Sequence, residues 1–83
     1  MPDGQKFNKQ EFSTLDIYFA AYLNIKGLDC EPRKSEHGKV MFIFNKEEAF
    51  AGMDDYNNRA TMIPIVEFVR QVKFLRGLMN QMR

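Results

Sequence analysis

Between Ser13 and Gly27 the chain passes through Leu15, Ile17, Tyr18, Phe19, Ala20, Ala21, Tyr22, Leu23 and Ile25, and only Asp16 and Asn24 interrupt the run before Lys26. A stretch this apolar must be buried on most sides, in a core or against a partner chain. Its ends predict a helix over 13–27. Ser13 can accept from the backbone N–H of Asp16 while the Asp16 carboxylate reaches back, a capping box with Asp in place of Glu, and Phe12 stands where a hydrophobic staple would. Lys26 is favourable against the dipole of the last turn, and Gly27 can take the left-handed conformation that closes a helix. On this helix the wet side is Asp16, Ala20 and Asn24, with Ile17 among them.

What surrounds such a helix is bounded by size. The chain has 83 residues, 45% hydrophobic, with eight Phe, three Tyr and six Met, enough for one small globular domain and too few for two. The polar segment 1–10 reads as a flexible tail, leaving 11–83 as the domain. Lys and Arg number 12 against 11 Asp and Glu, so bulk charge selects no partner and only its distribution could. The single cysteine, Cys30, excludes an internal disulfide, and with one histidine any metal site would need carboxylates or a second subunit. No signal-like or membrane-spanning run is present, and the expected location is the cytoplasm.

After Gly27 the pattern alternates. Leu28, Cys30 and Pro32 fall on one face and Asp29, Glu31 and Arg33 on the other, which predicts a strand, and Pro32, lacking a donor, places it at a sheet edge. Ser35 to Gly38 supply a turn, with Gly38 available for positive φ, and Lys39 to Phe44 form the return strand. Val40-Met41-Phe42-Ile43-Phe44 is apolar on both faces, so this strand should be central or covered on both sides. Asn45 caps a second helix with Glu48 three residues on, for about ten to twelve residues. Pro64 opens the last helix, running to about Asn80, on which Ile65, Phe68, Val69, Val72, Leu75, Leu78, Met79 and Met82 recur on one face. The expected fold is α+β: helix, β-hairpin, helix, helix, with the first and last helices on one face of a two-stranded antiparallel sheet. A third strand over 7–12 is the alternative.

The order of Phe12-Ser13-Thr14-Leu15-Asp16-Ile17-Tyr18-Phe19-Ala20-Ala21-Tyr22-Leu23, Gly27, the strand Val40 to Phe44, the Asp55-Tyr56-Asn57-Asn58 turn and Pro64 with its helix resembles a small prokaryotic family, the domain of unknown function numbered 5659. The resemblance covers about residues 11–80. It implies a compact α+β domain and brings no catalytic residues. Ile63 departs from the family pattern, which favours a polar cap before the proline.

No catalytic, cofactor or metal constellation can be assembled from the sequence. Cys30 reads as a small buried hydrophobe. His37, between Ser35, Glu36 and Gly38, lies in a tight turn whose neighbours cannot converge on one reacting atom. Asp54 and Asp55 lack the spaced ligands of a calcium loop. Two surfaces remain. Arg70, Lys73 and Arg76 with Phe74 beside them form a basic outer side of the last helix, able to meet a partner or nucleic-acid phosphates. Ile17 and Val66 lie off the expected core stripes and are candidate oligomer contacts. The expected function is therefore a non-enzymatic module for protein interaction or self-association as a homodimer, with an accessory nucleic-acid binder as the alternative and no membrane role.

Overall fold

The computed structural model describes residues 10–58 and 61–82. Its elements are β1 (Glu11–Thr14), α1 (Ile17–Ile25), β2 (Glu31–Lys34), β3 (Val40–Asn45), α2 (Lys46–Tyr56) and α3 (Ile65–Met82). The fold is α+β, with one sheet of order β1-β3-β2 in which both outer strands run antiparallel to β3. The sheet is three-stranded, not two-stranded. The third strand lies at 11–14; of the 7–12 alternative, residues 7–9 fall outside the described residues, as does all of the expected tail except Gln10.

That strand also moves the start of the first helix. Ser13 is not its cap: it pairs with Ile43, and Thr14 with Phe42. Asp16 caps instead, its Oδ1 accepting from the backbone N–H of Tyr18 at 2.9 Å and of Phe19 at 3.2 Å, while Thr14 Oγ1 accepts from the Asp16 N–H. Two good cap residues stand three apart, and β3 decides between them by offering 11–14 a ladder of hydrogen bonds. At the far end Gly27 adopts φ of 95°. The Gly27 N–H donates to the Asn24 carbonyl and the Leu28 N–H to the Leu23 carbonyl, the paired bonds of a Schellman motif.

The hairpin forms where its turn chemistry places it. Ser35 Oγ accepts from the N–H groups of His37 and Lys39, and Gly38 takes φ of 83°. Pro32 sits in the edge strand β2, and β3 is central. Asn45 caps α2, its Oδ1 accepting from the Glu48 N–H at 3.0 Å, and α2 is 11 residues long.

The helices cover only one sheet face. Phe42, Phe44 and Val40 of β3 join Phe19, Tyr22 and Leu23 of α1, Ala49 of α2, and Val72 and Leu75 of α3 in one core. Helix α1 packs against both α2 and α3 and so lies between them. This corrects its expected wet side: Ala20 is fully buried, while Tyr18 is 46% exposed and Leu15, outside the helix, is 55% exposed. The small side chains lie where neighbouring elements approach closest, and Tyr18 can turn outward because its hydroxyl end is polar. Among the described residues Tyr22 Oη is the one buried side-chain polar atom without a hydrogen-bond partner.

Among the described residues no helix lies on the opposite face of the sheet. There the Arg33 guanidinium on β2 donates two bonds to the Glu11 carboxylate on β1, at 3.1 and 3.0 Å, and further bonds to Glu31. By the strand register these side chains share a face with Met41, Ile43 and Asn45 of β3. The bridge therefore crosses the central strand, and Ile43 is buried although no helix of the described residues covers it. A planar fork with two parallel bonds and a long apolar stem suits this role.

Candidate interaction surface

Helix α3 carries two apolar rows. The first faces α1 and the sheet: Val72 and Leu75 are buried, and Phe68, Leu78, Met79 and Met82 pack against the core. The second does not. Ile65 is 71% exposed, Val66 58% and Val69 43%, and Met62 just before the helix is 87% exposed. Assigning Ile65 and Val69 to the core stripe is thus corrected. At about 100° per residue these two share a row with Arg76 at the edge of the stripe.

Tyr18 of α1 extends this surface. Its ring stacks on Phe68 with centroids 6.3 Å apart, and its hydroxyl accepts from Arg76 at 2.9 Å. Arg76 also lies 5.9 Å from the centre of the Tyr18 ring, within cation–π range. The result is a Tyr–Arg pair held in one arrangement beside exposed Ile65 and Val69. Tyr and Arg are the side chains most often found at the energetic centres of protein interfaces.

The residues singled out from the sequence distribute unevenly around this patch. Val66, Arg70 and Lys73 are exposed on α3. Ile17 is half-buried and packs against the core, away from the solvent position expected for it. Phe74, 58% exposed, lies on a different side: it lines a cleft of about 390 Å³ with Asn24, Leu28, Asp29 and Gln71. The Tyr18–Arg76 pair and the exposure of Met62, Ile65 and Val69 were missed. The partners in that pair stand 58 residues apart, and no local pattern joins them.

The other candidate groups do not assemble into a site. His37, Asp54 and Asp55 are exposed, and Ser35 Oγ is engaged by backbone N–H groups. Among the described residues no three His, Cys, Asp or Glu side chains are placed to hold a metal ion. No helix of these residues is long and apolar enough to cross a membrane. Cys30 is half-buried, and burial, aided by the charge of Glu31, pushes its thiol from 9.0 up to about 11.

The sign of that shift makes a prediction. Between pH 9 and 11 the unfolded chain loses the Cys30 proton and the folded chain retains it, so stability falls as pH rises through this window. Urea midpoints measured from pH 8 to 11 should decline, and Cys30→Ala should decline less steeply. Identical slopes would remove Cys30 as a contributor.

With this geometry in hand, the comparisons with known proteins decide the family. The model described as Domain of unknown function (DUF5659) matches residues 9–82. The chain belongs to this family. No curated protein and no solved structure matches the chain. The family match spans every element from β1 to the end of α3, so the surface on α3 is built on the family's own domain. The family description assigns no activity, and the functional reading therefore rests on the geometry of this chain.

Proposed function

We propose that this domain is a non-enzymatic protein-association module that presents α3 to its partner. The observation that carries the reading is the row of Met62, Ile65, Val66 and Val69, each at least 43% exposed, beside the Tyr18–Arg76 pair. Single exposed apolar residues are ordinary on a protein surface, whereas a contiguous group rimmed by polar side chains marks a contact site. The basic residues Arg70 and Lys73 form that rim.

Phosphate binding by Arg70, Lys73 and Arg76 is the second reading, favoured by three cations against the one carboxylate Glu67 along α3. It is the weaker. Arg76 is engaged by Tyr18, and Phe74, the side chain available to stack on a base, shares its cleft with Asp29, a carboxylate that would repel phosphate.

The association reading is tested by a photo-crosslinking amino acid placed at Val69 and, as a control, at exposed Lys39 in the hairpin turn. Irradiation of cells expressing each form should give a discrete protein adduct from position 69 and none from position 39. Absence of an adduct at 69, or equal labelling at both positions, would sink the reading.

A further inference from the structure

We propose that the exposed face of α3 is covered by the acidic face of α2 from a second copy of this chain. The inference rests on the association reading and supplies its partner. Helix α2 carries Glu47, Glu48, Asp54 and Asp55 against Lys46, a net charge of −3, while α3 carries Arg70, Lys73 and Arg76 against Glu67, a net charge of +2. All nine are exposed. Among the described residues the ion pairs belong to Arg33 with Glu11 and Glu31, so the charges of α2 and α3 are not spent on each other.

The fold gives the reason. Helix α1 lies between α2 and α3, so the acidic and basic helices occupy opposite flanks of the helical layer. Complementary charge is present in the chain but out of its own reach, and a second copy brings it within reach at equal concentration.

Spacing and apolar content also agree. Glu47 and Asp54 are seven residues apart, which places them on one face of α2 about 10.5 Å from each other. Between them on that face are Ala51 and Phe50, the latter 48% exposed. On α3 the distance from Ile65 to Lys73 is about 12 Å, with Val69 midway. Laid along α3, the neighbouring α2 sets one carboxylate beside Lys73 and the other near the first turn, where the helix dipole is positive. Phe50 then meets Ile65 and Val69. This is an apolar centre with paired charges at its ends, the usual anatomy of a specific interface.

Sedimentation velocity of the full chain at 50 mM and 500 mM salt tests the proposal, with two charge-reversed forms, R70E/K73E and E47K/D54K. The positions are exposed, and circular dichroism establishes that each form is folded. The wild-type chain should self-associate with rising concentration at 50 mM salt and weaken at 500 mM, where charge pairs are screened. Each reversed form alone should associate at least about 10-fold more weakly, because like charges then face each other. An equimolar mixture of the two should regain association, because each contact between unlike forms again sets opposite charges against each other. A wild-type chain that stays monomeric to about 1 mM at low salt overturns the proposal. So does a reversed form that associates as the wild type does, or a mixture that fails to recover. A monomeric wild type together with a crosslink from Val69 to a different protein would remove the self-contact and leave the association reading standing.

Discussion

Replacing Phe42 with alanine should lower the stability of the domain by about 3–5 kcal/mol, the usual cost of truncating a fully buried aromatic side chain. A domain of this length has about 4–12 kcal/mol in total, so the loss removes about a quarter of that stability or more. Phe42 is fully buried at the centre of β3, where the register sets it opposite Thr14 on one side and Pro32 on the other. It therefore ties both edge strands to the helical layer. The control is Phe50→Ala on α2, a ring that is 48% exposed and makes edge contact with Phe12 at 5.7 Å; its loss should be about 1 kcal/mol or less. Urea denaturation of both variants decides the matter. Equal losses would mean that β3 is not the strand on which the core is assembled.

The central place of β3 was legible in the sequence because the run from Val40 to Phe44 leaves no wet face, and Pro32 barred its neighbour from any position but an edge. The caps were legible for a similar reason. Asn45, Gly27 and Gly38 each meet a local backbone demand that few other residues satisfy, and local demands can be read locally. β1 could not be read this way. Its four residues have no pattern of their own, and they become a strand only through β3, which lies about 30 positions further along. Ser13 and Asp16 are both sound helix caps, so the choice between them was made by pairing across that distance.

The candidate site shows the same division. Helical periodicity places Ile65 and Val69 on the stripe that faces the core, but it cannot say how wide the covering layer is. Here the cover ends at α1, and residues at the margin of the stripe are left in water. The exposure of Val66, Arg70 and Lys73 follows from periodicity alone; that of Ile65 and Val69 requires the packing. The link between Tyr18 and Arg76 depends on how α1 crosses α3, which no spacing within either helix encodes.

Two glycines inside helices should respond to substitution with opposite signs. Both look like weaknesses, since glycine costs about 1 kcal/mol relative to alanine in a helix interior. At Gly77 a side chain would meet nothing within 4 Å, so Gly77→Ala should raise stability by about 0.5–1 kcal/mol through helix propensity. At Gly52 a Cβ would lie 2.5 Å from Leu23 Cδ2. Leu23 is fully buried, which leaves its methyl little room to withdraw. Gly52→Val adds two further methyl groups to this contact and should lower stability by about 1–3 kcal/mol, the cost of overfilling a packed core. The glycine is thus the means by which α2 approaches α1. A double-mutant cycle isolates that cause: Leu23→Ala alone leaves a cavity, but combined with Gly52→Val it makes space for the valine, so the two losses should sum to more than the loss in the double variant. Strict additivity in chemical denaturation would show that Gly52→Val acts through the backbone of α2 and that the contact with Leu23 is incidental.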